Sequence, residues 1–171
     1  GDWDGDGIDT PGVRRGNTYY LRNVLDGGEA DVVVAYGRPL DVVVVGDWDG
    51  DGADTLGVRR ESTFFLKNSF TGGEADRTQW LGRGTDRPIS GDWDGDGRDD
   101  IGVRRGDVVE TRTQRGRTDT QSYGRPSDAI IVGDWDGDGA DSLGVRRPSV
   151  EASATRPAGV VGSEAHRLTS S

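Results

Sequence analysis

The chain has 171 residues, with 31 acidic against 21 basic side chains, a formal net charge of -10 and no cysteine. This acidity excludes non-specific nucleic-acid binding as the main function, because contact with phosphates needs a basic surface. The absence of cysteine excludes disulfides, zinc-thiolate sites and a thiol nucleophile. Apolar runs such as Val42 to Val45 are too short to cross a membrane.

One 15-residue sequence recurs four times along the chain. GDWDGDGIDTPGVRR begins at Gly1, and close variants begin at Gly46, Gly91 and Gly133, at spacings of 45, 45 and 42 residues. Such periodicity predicts a repeat architecture. The predicted units cover residues 1–45, 46–90, 91–132, and 133–147 and beyond. The three residues missing from the third unit are placed in a turn near Arg115 to Thr118.

Each unit is predicted to form short strands separated by turns. In the second unit these are Leu56 to Arg60, Thr63 to Asn68, Arg77 to Leu81 and Arg87 to Trp93. Glycine at 29 positions opposes helices. Units of about 45 residues with four strands have the size of a propeller blade.

The sequence therefore predicts an all-β fold, a β-propeller-like array of about four small four-stranded blades with an aspartate loop in each. An open or partial β-repeat stack is the alternative. Residues 148–171 are predicted to be either strands of the last blade (Val150 to Thr155 and Gly159 to Val161) or a flexible tail.

The aspartate loops indicate calcium binding. Carboxylates at alternate positions, followed by glycine, can wrap a hard cation, and Ca²⁺ takes about 6 to 8 oxygen ligands. Asp and Gly are also common in ordinary turns, but all four copies keep every aspartate. The loop is not an EF-hand, because its twelfth position is Val13 instead of a glutamate. Magnesium fits less well, because it prefers octahedral sites that keep several waters.

The predicted ligands of each loop are three alternating aspartates, the backbone carbonyl of the seventh position and the aspartate of the eighth. They are Asp2, Asp4, Asp6, Ile8 and Asp9; Asp47, Asp49, Asp51, Ala53 and Asp54; Asp92, Asp94, Asp96, Arg98 and Asp99; and Asp134, Asp136, Asp138, Ala140 and Asp141. Four Ca²⁺ would bring the formal charge from -10 to about -2. Only 34 of the 171 residues are Leu, Ile, Val or Phe, so burial of apolar side chains can contribute little to stability. We therefore expect the metal-free chain to be largely unfolded.

Over residues 1–147 the sequence resembles the FG-GAP and VCBS-type repeats of secreted bacterial proteins, whose calcium loops also occur in integrin propellers. The resemblance implies β blades, bound calcium and extracellular roles in adhesion, glycan binding or carrying an attached enzyme. The broader family usually has its last aspartate at the ninth loop position, which only Asp100 matches here. Whether the eighth or the ninth position completes the coordination is therefore left open. Relatives more often carry an aromatic residue at Arg14, Arg59, Arg104 and Arg146.

The expected function is that of a secreted or cell-surface calcium-binding repeat module that acts by binding or display and is not an enzyme. The alternatives are a calcium-dependent, lectin-like carbohydrate-binding module and an accessory domain of a secreted hydrolase. Expected partners are an extracellular ligand, either a glycan or a cell-surface protein, and other copies of the repeats.

Two further sets of repeated residues, the loop tryptophans and the arginines that follow turn glycines, allow specific contacts to be predicted. Trp3, Trp48, Trp93 and Trp135 are expected to pack between units, with stacking on sugar rings as the alternative. The unrepeated Trp80 is a better candidate for a ligand contact than these four, but a position in the core is the first expectation for it. Three arginines that follow a turn glycine are expected to pair with the nearby aspartates: Arg38 with Asp41, Arg83 with Asp86 and Arg125 with Asp128.

Overall fold

The structure, a computed structural model, describes residues 1–147 as a series of short strands and turns. The predictions for Val150 to Thr155 and Gly159 to Val161 lie outside the described residues. The strands are β1 (Gly12–Arg15), β2 (Thr18–Leu21), β3 (Val32–Ala35), β4 (Val42–Gly46), β5 (Thr55–Arg60), β6 (Thr63–Leu66), β7 (Arg77–Trp80), β8 (Arg87–Gly91), β9 (Asp100–Arg105), β10 (Val108–Arg112), β11 (Thr118–Ser122), β12 (Ala129–Gly133) and β13 (Ser142–Arg146).

The strands form four antiparallel sheets. The first contains β1–β2–β3, the second β4–β5–β6–β7, the third β8–β9–β10–β11 and the fourth β12–β13. The all-β prediction is confirmed, and over residues 1–147 the sheets do not join into a closed ring. The same residues contain no helix with the length and apolar character that crossing a membrane requires.

Each complete sheet starts one strand earlier than the sequence repeat. In the second sheet β4 precedes the aspartate loop and pairs with β5 across it, from Gly46 opposite Thr55 to Val42 opposite Arg59. The same arrangement joins β8 to β9 and β12 to β13. The aspartate loop is therefore the turn of a β-hairpin. The first sheet begins with β1, the strand that follows the first loop.

The core lies between successive sheets. Trp3 and Trp48 are buried, and each contributes to one cluster of apolar side chains, as expected for residues that pack repeats together. The first cluster is Trp3, Tyr19, Leu21, Val34, Tyr36, Leu56 and Val58, and the second is Val44, Trp48, Phe64, Leu66, Leu81, Ile101 and Val103. Trp93 is half-buried. Trp135, in the loop between β12 and β13, is 58% exposed, so the packing expectation is wrong for this tryptophan.

Two arginines from neighbouring sheets hold each turn between sheets. Arg14 of the first sheet donates hydrogen bonds to the carbonyl oxygens of Asp41 at 2.7 Å and of Arg38 at 2.8 Å. Arg60 of the second sheet pairs with the Asp41 carboxylate at 2.7 Å. Arg105 and Arg147 pair in the same way with Asp86 and Asp128.

The expectation for the turn arginines is therefore wrong in its partners. Arg38, Arg83 and Arg125 donate to Asp41, Asp86 and Asp128 through their backbone amides. The charged partners are arginines of the next sheet, which lie 19 residues further along the chain. A carboxylate that accepts both kinds of donor ties the turn to the sheet that follows it.

Candidate metal sites

The first aspartate of each loop organises the loop around itself. Asp2 accepts hydrogen bonds from the amides of Gly5 and Asp6 on Oδ1 and from Gly7 on Oδ2, at 2.8 to 3.1 Å. Gly5 and Gly7 have φ values of 74° and 84°. These left-handed conformations favour glycine and explain the spacing of the motif. Asp47, Asp92 and Asp134 accept the same amide hydrogen bonds in their own loops.

The three alternating aspartates of each loop come together. In all four loops, one carboxylate oxygen from each lies within 4.8 Å of the others, so each group could hold a metal ion. The groups are Asp2, Asp4 and Asp6; Asp47, Asp49 and Asp51; Asp92, Asp94 and Asp96; and Asp134, Asp136 and Asp138. Their burial differs, because all three members are half-buried in the third loop and exposed in the fourth.

The seventh position follows these carboxylates directly. The amide of Ile8 donates to Asp6 Oδ1 at 2.9 Å, and the amides of Ala53, Arg98 and Ala140 make the same contact with the third aspartate of their loops. These residues therefore belong to the folded loop. Metal coordination by their carbonyl oxygens stays a prediction.

The eighth-position aspartates contact the preceding repeat. Asp54 Oδ2 accepts a hydrogen bond from the amide of Asp2 at 2.9 Å, and the Asp54 amide donates to the Asp2 carbonyl at 2.6 Å. Asp99 makes the same pair of bonds with Asp47, and Asp141 with Asp92. We call Asp54, Asp99 and Asp141 the inter-repeat aspartates. Their predicted role as ligands of their own loops remains a prediction, and the contact seen here joins one loop to the next.

Burial determines the electrostatics of these contacts. It raises the pKa of Asp99 to about 7, even though the Asp47 amide favours the charged form. It also raises the pKa values of Asp54 and Asp141. Asp9, the equivalent residue of the first loop, has an 84% exposed side chain and lies 3.6 Å from the N-terminal amine. Within the described residues, the eighth position is therefore half-buried where another repeat precedes it and exposed in the first loop.

The third loop contains an additional buried carboxylate. Asp100, at the ninth position, is 1% exposed, and its Oδ1 accepts the Gln114 amide at 2.6 Å. Asp100 Oδ2 and Asp94 Oδ1 are buried without a hydrogen-bond partner among the described residues. Burial, followed by the negative charges of Asp94 and Asp96, raises the pKa of Asp100 to about 7.

Sequence reasoning missed two residues that surround this loop. Arg115 pairs with Asp94 and Asp96, at 3.6 and 3.1 Å. The Gln114 side chain donates to the carbonyls of Trp48 and Asp99 and so joins the second loop to the third. Both lie in the short β10–β11 hairpin, where the third unit departs from the others. Repeat comparison gave no signal for them because the turn of this hairpin is shorter than the β2–β3 and β6–β7 turns and differs from them in sequence.

Comparisons with known proteins do not identify the chain. It matches no family model, no curated protein and no solved structure. The geometry of the loops therefore carries the functional conclusion.

Proposed function

We propose that this chain is a calcium-binding repeat module with a propeller-like arrangement of its sheets. Its role is binding or display outside the cell, and the metal ions are structural. The four aspartate triplets, with oxygens from all three members within 4.8 Å, support four bound ions. Oxygen-only ligand sets of this kind suit Ca²⁺ better than a transition metal.

The third loop provides the observation that carries the proposal. Two of its carboxylate oxygens, Asp94 Oδ1 and Asp100 Oδ2, are buried and unpartnered among the described residues. Buried carboxylate oxygens without donors are costly unless a cation or a proton neutralises them. A divalent cation among these side chains would satisfy both oxygens and remove the repulsion within the triplet.

The way the loops connect the sheets supports a structural role for the ions. Each of the first three loops receives an inter-repeat aspartate from the next unit. An ion that fixes the loop also fixes the amide and carbonyl to which that aspartate binds. The chain has four similar candidate sites, one in each repeat. This distribution fits a structural role better than a catalytic one, because an enzyme usually has a single catalytic centre.

The extracellular location rests on the resemblance to FG-GAP and VCBS-type repeats and on calcium supply. Extracellular modules work with dissociation constants near ~10⁻⁴ to 10⁻³ M. Exposed triplets such as Asp134, Asp136 and Asp138 would stay filled only where calcium is that abundant.

Calorimetric titration with Ca²⁺ tests the proposal. We expect four ions per chain, and three for Asp94→Ala, because this substitution removes one ligand and leaves one oxygen set incomplete. Asp119→Ala is the matched control, since Asp119 is exposed on β11 and lies outside the triplets. A count of four for Asp94→Ala would contradict the assignment of that ligand, and no calcium binding by the parent chain would refute the function.

A lectin-like role is the second candidate, and exposed tryptophans favour it. Trp80 on β7 and Trp135 in the fourth loop are 65% and 58% exposed, and flat aromatic faces of this kind can stack on sugar rings. A glycan array probed in calcium would show binding that Trp80→Ala weakens. An array without signal in both calcium and chelator would count against this role and leave the calcium sites untouched.

A further inference from the structure

The third loop combines an additional acid with a nearby base. Its ninth position is Asp100, where the other loops have Thr10, Thr55 and Ser142. Among the residues that the structure describes, its triplet is also the one that pairs with an arginine, because Arg115 lies within 3.6 Å of two of the three aspartates. The extra negative charge and the extra positive charge therefore occur together at one site.

The turn between β10 and β11 is fixed on both sides of Arg115. Before this residue, the Gln114 amide donates a hydrogen bond to Asp100 Oδ1 at 2.6 Å. After it, the Arg117 carbonyl accepts a hydrogen bond from the Thr113 amide at 2.8 Å, which closes the turn. These bonds hold the Arg115 backbone beside the third loop, so mainly its side chain has to be ordered when the ion pairs form.

The guanidinium of Arg115 approaches the third triplet from its exposed side. Its terminal nitrogens lie 3.6 Å from Asp94 Oδ2 and 3.1 Å from Asp96 Oδ2, and the arginine side chain is itself 70% exposed. Asp94 Oδ1 and Asp100 Oδ2 are buried and have no hydrogen-bond partner among the described residues. Arg115 therefore neutralises part of the triplet and leaves the buried side of the site without a donor.

Arg115 and a divalent ion would compete for the same carboxylates. The arginine pairs with Asp94 and Asp96, and these two belong to the group whose oxygens lie within 4.8 Å of one another. Positive charges a few ångströms apart repel each other even in water. A calcium ion can contact several carboxylates at once, whereas an exposed ion pair contributes little. Calcium should therefore win this competition, but at a cost in affinity.

We propose that Arg115 is a tethered counter-ion of the third loop, a positive side chain that neutralises Asp94 and Asp96 until calcium displaces it. This role rests on the proposed calcium function and adds a residue that determines how much calcium the third loop needs. Arg115 is not a ligand of the ion and acts only through the two aspartates. Asp100 strengthens the attraction for a cation, and Arg115 offsets part of that gain.

A calcium titration that is read at single loops tests this role. The backbone amide signal of Gly97 reports on the third loop and that of Gly7 on the first, because each amide donates to the first aspartate of its loop. The full chain is saturated with calcium, and a chelator is then added in steps. In Arg115→Ala we expect the third loop to release calcium at a free concentration about tenfold lower than in the parent chain, with the first loop unchanged.

Substitutions at position 115 should rank by charge. Arg115→Lys should keep the third loop near its parent affinity, Arg115→Ala should raise the affinity, and Arg115→Glu should raise it at least as much. Arg117→Ala is the matched control, because it removes an exposed arginine of the same turn that does not pair with the triplet. This control should leave the calcium release of both loops unchanged.

The direction of the change separates this role from a purely structural one. If Arg115 only held the turn in place, Arg115→Ala would weaken the third site or leave it unchanged, and the three substitutions would show no order by charge. Either result overturns the proposal while the calcium sites stand. A Gly97 signal that does not respond to calcium in the parent chain would instead refute the calcium function of the third loop, and the role of Arg115 with it.

Discussion

The third and fourth loops have the same seven residues, GDWDGDG, but different surroundings. In the third loop, Asp141 of the next unit binds the Asp92 amide, Arg115 pairs with two aspartates, and Asp100 adds a buried carboxylate. In the fourth loop, the three aspartates are exposed, and the ninth position is Ser142.

This difference shows that the repeat motif specifies the conformation of the loop but not the charges and the burial around it. The first aspartate organises both loops with similar amide bonds. The number of nearby charges and the exclusion of water are set by residues outside the motif, both in the same unit and in the next one, and these control how tightly a cation would be held. The four loops should therefore form a graded series.

Removal of calcium should have the largest effect. Stepwise addition of a chelator should empty the fourth loop first and the third loop last. Complete removal should abolish most of the β-sheet circular dichroism, because no cation then balances the repulsion among the carboxylates of the four triplets. The measurement is circular dichroism and melting against free calcium. An unchanged spectrum and melting temperature in excess chelator would contradict the structural role.

The Asp100→Asn substitution should sharpen the contrast between the two loops. With calcium, we expect the third site to lose about tenfold or more in affinity, because a charged oxygen near the ion is lost. Without calcium, the variant should be more stable by roughly 1 to 3 kcal/mol, because a buried carboxylate whose Oδ2 has no donor among the described residues is replaced by a neutral side chain. Calorimetric titration and urea unfolding measure the two effects. Asp119→Asn is the control, and a loss of stability in both conditions would mean that Asp100 acts only through its bond from Gln114.

Much of this contrast could not be predicted from the sequence. The all-β fold, the strands of the second unit and the four aspartate triplets follow from local patterns, namely alternation, glycine spacing and repetition. The contacts of Asp54 and Arg60 do not, because both lie between units and depend on how one sheet packs on the next. Gln114 and Arg115 lie in the β10–β11 turn, which is shorter than the equivalent β2–β3 and β6–β7 turns and has its own sequence.

The sheet boundaries show the same limit. The motif suggests that a unit begins at Gly1, but the hydrogen bonds place the start of each complete sheet at the strand before the loop. A repeat in the sequence specifies only the number of residues after which the structure recurs. The strand at which each sheet begins is determined by hydrogen bonding, since a strand belongs to the sheet in which its backbone groups are paired.

The eighth-position aspartates Asp54 and Asp9 allow a loop that contacts a preceding repeat to be compared with one that does not. Asp54→Ala should destabilise the chain by about 1 to 3 kcal/mol, because the Asp2 amide loses its acceptor. Asp9→Ala should have almost no effect on stability, because its side chain is 84% exposed. Urea unfolding in calcium measures both. A calcium count that falls from four to three for Asp54→Ala would instead make this residue a ligand of its own loop.

The smallest effect should come from the turns that join the sheets, away from the metal loops. The hydrogen bond from Arg105 lowers the pKa of Asp86 below its ordinary value of 3.8 in the folded state. Because this carboxyl binds protons less readily when folded, its stabilisation is complete above that value and is lost as the pH falls through the folded pKa. Asp86→Asn should therefore lower stability at neutral pH and flatten its fall below about pH 4. Urea unfolding measured from pH 2 to 7 checks this, with Asp119→Asn as the exposed control. If the free energy of unfolding falls equally with decreasing pH in the parent chain and in Asp86→Asn, the ion pair with Arg105 does not contribute to stability.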